Sequence, residues 1–168
     1  STTLFVTMRC NLKCSYCWSV MTETNELSTE NMLEIIEKIR FKCPGIYFSG
    51  GEPMLRNDIE DLLKKAKEMN FKPIWLITNA LNLHKRMHCL KYLDYLTVSL
   101  DSLDIPKWSK MIGVDGAANI IIENIKDAAK LQEKYGYSLI INNLINSETI
   151  DDFESLVKFA RKHNILLA

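Results

Sequence analysis

What this chain lacks most plainly is an excess of charge of either sign: 21 Lys and Arg stand against 21 Asp and Glu, a formal net charge of +0. Such a balance gives neither the basic face that nucleic acid requires nor a polyacidic tail, so no nucleic-acid partner is expected. No apolar run approaches the ~20 residues of a membrane-spanning helix, so no membrane partner is expected either. Low-complexity tracts and solenoid-type repeats are also missing. No export signal precedes the five cysteines, and their odd number argues against a disulfide framework. A reducing compartment, the cytoplasm, is the expected location. The usual structural zinc site draws on two C-x2-C pairs or a Cys/His set, and the spare candidates Cys43, His84, His88 and Cys89 sit inside or beside apolar segments.

What remains is an ordinary globular composition: 168 residues, 47% of them hydrophobic, enough for one domain with a full core. The chain starts at Ser1 without Met and stops at Ala168 in an apolar run. We therefore read residues 1–168 as a single core domain cut at both ends. Apolar runs rich in β-branched and aromatic residues recur at 4–8, 46–49, 74–78, 96–100, 139–142 and 165–167, each predicting a buried strand. Between them lie one-face stripes at helical spacing: Met32, Ile35, Ile36 and Ile39; Ile59, Leu62, Leu63 and Ala66; a weaker one over 83–93; Ile121, Ile125, Ala128 and Ala129; and Phe153, Leu156, Val157 and Ala160. Ser28, Asn57 or Asp58, and Thr149 stand where helix N-caps are needed, and Asn70 and Asn164 suit helix ends.

Continuous apolar strands alternating with helices argue for a parallel sheet covered by helices. The chain carries about five to six βα units, whereas a closed eight-unit barrel takes ~250 residues. The fold class is therefore α/β, either a partial, open parallel β/α barrel of the (βα)5-6 kind or a doubly wound sheet, and we favour the first. Sites in such folds lie at the carboxyl ends of the strands. There the sequence places Cys10, Cys14 and Cys17, then Ser49-Gly50-Gly51-Glu52-Pro53, Thr78-Asn79, Ser99 with Asp101, and Asn142-Asn143.

The C-x3-C-x2-C run supplies three thiolates on one short loop, a ligand set for iron and sulfur. Three thiolates serve three irons of a four-iron cluster and leave the fourth open to a small molecule. Gly50 and Gly51 permit close approach of a ligand to the main chain, and Glu52 beside them can accept hydrogen bonds from a cationic group such as an amine.

Together, the C-x3-C-x-aromatic-C loop after the first strand and the Gly-Gly-Glu-Pro turn after the second resemble the radical S-adenosylmethionine (radical SAM) superfamily, over essentially the whole chain. The resemblance implies that Cys10, Cys14 and Cys17 hold a 4Fe-4S cluster whose open iron is chelated by S-adenosyl-L-methionine. It implies that Gly50, Gly51 and Glu52 engage the amino group, with Asn79 at the next strand end, and that Ser99 and Asp101 meet the ribose or carboxylate. Asn142 or Asn143 would contact the nucleoside, and Tyr16 and Trp18 would flank the adenine. Many members place an Arg after the fourth strand for the carboxylate; here Ile112 falls at that position, and the closest cation is Lys110. The chemistry implied is reductive cleavage to a 5'-deoxyadenosyl radical that abstracts hydrogen from a peptide, protein or metabolite substrate. An external one-electron reductant such as flavodoxin or ferredoxin is the implied partner. Two alternatives stand beside this: a non-catalytic iron-sulfur binding or electron-transfer module on the same fold, and a zinc-stabilised scaffold.

Overall fold

The structure is a computed structural model that describes residues 1–17 and 25–168. Six parallel strands form one sheet: β1 (Thr2–Thr7), β2 (Ile46–Gly50), β3 (Ile74–Thr78), β4 (Tyr95–Ser99), β5 (Ser138–Asn142) and β6 (Leu166–Leu167). They are ordered β1-β2-β3-β4-β5-β6, as in the sequence. A doubly wound sheet reverses direction at a switch point; this one never does. Right-handed crossovers without reversal put every helix on one face, which makes the fold an open segment of a β/α barrel.

Among the described residues five α-helices follow the strands: α1 (Thr29–Arg40), α2 (Ile59–Glu68), α3 (Ile105–Ile112), α4 (Ala117–Tyr135) and α5 (Phe153–Lys162). Helix α1 begins as expected, with the Ser28 hydroxyl accepting from the Asn31 N–H at 3.3 Å. Helix α2 buries Ile59, Leu62, Leu63 and Ala66 completely, about 1.5–3 kcal/mol for each large side chain. Truncating Leu63 to Ala would remove roughly 2–5 kcal/mol.

Two elements differ from the sequence expectation. The stripe over 83–93 forms two 3-10 turns, Leu83–Lys85 and Met87–Tyr92. Arg86, Cys89 and Leu93 each donate their N–H to the carbonyl three residues back, the tighter pattern that suits short segments. Helix α3 went unforeseen. Asp104 caps it by accepting from the Lys107 N–H at 3.1 Å, Pro106 sits in its first turn, and Gly113 closes it in the left-handed region at φ 67. Left-handed Asn70 and Asn164 lie just past the ends of α2 and α5, as their sequence positions imply.

The strands present alternate residues to the two faces. Ile46, Phe48, Ile74, Leu76, Leu96 and Val98 are buried beneath the helices. In register on the other face stand Tyr47, Trp75 and Tyr95. The Trp75 ring lies 5.0 Å from that of Tyr47 and 4.5 Å from that of Tyr95, and its indole N–H donates to Thr97 Oγ1 at 2.6 Å. This aromatic row fills the amino-terminal half of the concave face and leaves the carboxyl ends for the site.

Candidate functional site

A cavity of about 390 Å³ opens at the carboxyl ends of the strands. Cys10, Cys14, Cys17 and Tyr16 line it from the loop after β1, Ser49, Gly50 and Gly51 from β2, and Ile77, Thr78 and Asn79 from β3. Ser99, Asp101, Trp108 and Ile112 line it from β4 and α3, and Asn142 and Leu144 from β5.

Main-chain bonds hold the thiol loop on two sides. Toward β2, the N–H groups of Gly51 and Glu52 donate to the carbonyls of Thr7 and Arg9, each at 2.8 Å. Gly50 and Gly51 are required by this approach: a Cβ on Gly50 would lie 2.1 Å from the Thr7 carbonyl oxygen, and one on Gly51 2.3 Å from that of Arg9. Toward α3, the N–H groups of Lys13 and Ser15 donate to the carbonyls of Ile112 and Met111 at 2.9 Å. A Cβ on Gly113 would sit 2.7 Å from the Lys13 carbonyl oxygen. Ile112 therefore contributes a carbonyl to the loop and an apolar side chain to the cavity wall.

Glu52 stands behind that wall. Its carboxylate is fully buried; Oε1 accepts from the Met54 N–H at 2.9 Å and the Thr78 hydroxyl at 2.7 Å, and Oε2 from the Asn79 N–H at 2.7 Å. Burial pushes its proton affinity up while those three donors oppose the rise. Asn79 passes the anchorage on, its Nδ2 lying 2.8 Å from Asn11 Oδ1 and 3.7 Å from Cys10 Sγ. Asp101 accepts from the Tyr16 hydroxyl through Oδ2 and from the Leu144 N–H through Oδ1 at 2.8 Å. Burial, followed by this bond to Asp101, holds the Tyr16 phenol well above its usual range.

An iron-sulfur cluster requires thiolate donors. Burial and then the neighbouring Cys10 push the Cys14 thiol up to about 11, with the side-chain bond from Tyr16 opposing and Cys17 and Asp101 adding to the rise. Burial also raises Cys10, against the N–H of Leu12 and the Asn79 amide. Cys10 and Cys14, whose buried thiols resist ionising, need a cationic partner, and a cluster of iron ions held with Cys17 on the same loop supplies one. The residues fit.

Several expected site residues fall elsewhere. Asn143 braces the strand ends, donating to the carbonyls of Leu100 and Asp101 at 3.1 and 3.2 Å, while Asn142 faces the cavity. Lys110 is exposed. Helix α3 turns Trp108, Met111 and Ile112 inward, which directs position 110 outward, and among the described residues lining the cavity none is Lys or Arg. Trp18 lies outside the described residues. Sequence reasoning missed Asn11, Ile112 and Gly113 as parts of the loop's support; the Asp104 to Gly113 capping pattern was the available signal.

A thiol loop after the first strand and a double-glycine turn after the second, on an open parallel β/α sheet, define a partial-barrel domain with a thiol-lined cavity at the carboxyl ends of its strands. The sequence model of the Radical SAM superfamily matches residues 4–160, and the chain belongs to that superfamily. It is 34% identical over 165 residues to a probable GTP 3',8-cyclase of Methanosarcina mazei, covering 91% of this chain and 49% of that protein. To a probable GTP 3',8-cyclase of Methanococcus maripaludis it is 32% identical over 171 residues, covering 98% and 56%. The chain thus spans about half the length of these relatives. In fold it is similar to Streptococcus suis SuiB bound to S-adenosylmethionine, with a TM-score of 0.79 at 23% identity over 97% of this chain and 38% of that one. Among the described residues no helix is long and apolar enough to cross a membrane.

Proposed function

We propose that residues 1–168 are a radical SAM core domain in which Cys10, Cys14 and Cys17 hold a 4Fe-4S cluster and the adjoining cavity takes S-adenosyl-L-methionine. The observation that carries this reading is the convergence of all three thiols with Ser49, Gly50, Asn79, Ser99, Asp101 and Asn142 on one cavity, in a chain of this superfamily. When bound and reduced by an external carrier such as flavodoxin or ferredoxin, the cluster supplies the electron that cleaves S-adenosylmethionine to methionine and a hydrogen-abstracting 5'-deoxyadenosyl radical.

The protein's own residues orient and enclose. Gly50 and Gly51 bring the β2 backbone against the thiol loop, so the amino group of the cofactor meets main-chain atoms there. Ser99, Asn142 and the ring of Tyr16 offer hydrogen bonds and a flat wall to the nucleoside. Leu12, Ile77, Trp108, Ile112 and Leu144 exclude water from the reacting bond. Glu52 holds Asn79, and through it Cys10, in place.

Anaerobic reconstitution with iron and sulfide, followed by dithionite and S-adenosylmethionine, should yield 5'-deoxyadenosine above the level of a Cys14→Ala control. Equal yields would refute the enzymatic reading. The assay is run with and without GTP, because the names of the relatives make a purine nucleotide the first substrate to try; a peptide or another metabolite is the next. A second reading is favoured by the lack of Lys and Arg among the described lining residues: an iron-sulfur carrier that binds no S-adenosylmethionine. Calorimetric titration of the reconstituted protein decides between them, since a carrier gives no saturable heat.

A further inference from the structure

Outside the cavity, Glu60 on α2 meets His88 and Cys89 of the 3-10 turn after β3, with one ligand atom from each within 4.8 Å of the others. The Glu60 Oε2 to His88 Nε2 distance is 2.8 Å and the Cys89 Sγ to His88 Nε2 distance 3.6 Å. We propose that Glu60, His88 and Cys89 form a second metal site, distinct from the thiol loop, that takes one zinc ion or a similar borderline-soft divalent cation and ties α2 to this turn.

Ring geometry carries the argument first. Nε2 of a neutral imidazole holds either one proton or one lone pair, so it makes one full bond, and with the Glu60 carboxylate at 2.8 Å the Cys89 sulfur at 3.6 Å is left with a weak contact. One ion among the three atoms satisfies them all. Distances follow: with Zn–N near 2.0–2.1 Å and Zn–S near 2.3 Å, tetrahedral geometry puts nitrogen and sulfur about 3.6 Å apart, the separation present here. Nitrogen and oxygen would stand about 3.3 Å apart, a shift of roughly half an ångström for the half-exposed Glu60.

The surroundings agree. Glu60 Oε1 is already engaged, 3.4 Å from the Tyr92 hydroxyl and 4.0 Å from Lys91 Nζ, which leaves Oε2 facing the ring. One carboxylate and one thiolate neutralise a dication, and a mixed S, N, O set prefers zinc to the hard cations. His88 is exposed and Cys89 fully buried; the ion would enter from solvent, with water as its fourth ligand.

The test is equilibrium dialysis of the full chain against buffered zinc, with zinc-edge X-ray absorption as the structural readout. A Cys10→Ser/Cys14→Ser/Cys17→Ser variant should still retain about one zinc with a single sulfur in its shell, as a three-ligand site predicts. Adding His88→Ala or Cys89→Ser to that background should weaken retention by at least about tenfold, the loss that even an outer partner of a metal ligand can cause. His88 is exposed, so its variant folds if the parent does. Zinc retention that vanishes with the three loop cysteines, or that is indifferent to both His88→Ala and Cys89→Ser, overturns the proposal.

Discussion

Replacing Glu52 with Gln isolates the chemistry of one buried carboxylate while keeping its shape. Three donors converge on it, the N–H groups of Met54 and Asn79 and the hydroxyl of Thr78, and only an acceptor-only group can answer all three. The amide of Gln has one oxygen. If that oxygen faces Met54 and Thr78, its NH2 group confronts the Asn79 N–H; if flipped, it leaves the other two unanswered. Thr78 cannot easily turn away, because its Oγ1 also accepts from the Ala80 N–H at 3.0 Å. One charge-assisted bond is lost and one buried donor is orphaned, together about 2–3 kcal/mol. Relief from burying a charge offsets part of this, so we take about 2 kcal/mol as the net loss. For a chain of this size that lowers Tm by roughly 4–8 °C. Differential scanning calorimetry at neutral pH measures it, and iron content after reconstitution reports whether the released Asn79 disturbs Cys10. A Gln variant as stable as the parent would mean that the carboxyl is not held as an anion by these donors, and the anchorage argued for Asn79 and Cys10 would fall with it.

The second perturbation is Gly51→Ala, which drives a Cβ to 2.3 Å from the Arg9 carbonyl oxygen; it should cost about 1–3 kcal/mol and lower iron uptake. Gly136→Ala, whose Cβ meets nothing within 4 Å but which sits at φ +75, should cost about 1–2 kcal/mol in urea denaturation and leave iron uptake unchanged. Asp58 accepts from Arg56 at 2.8 and 2.6 Å and from Thr29 at 2.7 Å, and the Arg56 bond holds its carboxyl below the ordinary aspartate range. A lowered folded value means that this stabilisation is complete above the unfolded value, about pH 4, and fades as pH falls through the folded value. Asp58→Asn should therefore cost about 3 kcal/mol at neutral pH, because the Arg56 side chain is only 4% exposed, and should flatten the acid limb of the stability profile; an unchanged limb refutes the pairing. Trp108 Nε1 has no partner among the described residues, so in the unliganded protein Trp108→Phe should change stability by less than about 1 kcal/mol, the gain from removing an orphaned donor offsetting the lost contact. A loss above about 2 kcal/mol by urea denaturation would show that the indole N–H is bonded.

A continuous apolar run makes a strand legible, and for that reason the parallel sheet could be read from the sequence. Runs such as 74–77 stay apolar throughout, and the stripes of α1, α2 and α5 recur at helical spacing. Helix α3 escaped because its eight residues hold just two turns of pattern and carry in the first turn a proline that reads equally well as a loop. Missing that helix also misplaced Lys110, since the inward phase of Trp108, Met111 and Ile112 fixes where position 110 points. The strand-end residues were legible as a set, but their directions were not. Strand parity turns Ser49, Ile77 and Ser99 toward one face, whereas the inward turn of Glu52 depends on Thr78 and Asn79, which lie 26 and 27 residues away.

The way charge is distributed over the cavity wall bears on how a zwitterionic ligand would be received. Asp101 is the only carboxylate among the described lining residues, and both its oxygens are already occupied, by the Tyr16 hydroxyl and the Leu144 N–H. Its charge therefore holds the thiol loop against the β5 end and leaves little for a cationic ligand group. With no Lys or Arg among the described lining residues, a ligand carboxylate would be met by neutral dipoles such as Ser49, Ser99 and Asn79, whose hydrogen bonds to a charged acceptor are worth about 1.5–3 kcal/mol each. Recognition by neutral dipoles is weakly screened by salt, whereas a guanidinium contact at a cavity mouth loses strength as ionic strength rises. Affinity for S-adenosylmethionine should accordingly change little between low and physiological salt. A steep salt dependence in the calorimetric titration would instead place a cation in contact with the ligand and refute the recognition by neutral dipoles argued from this wall.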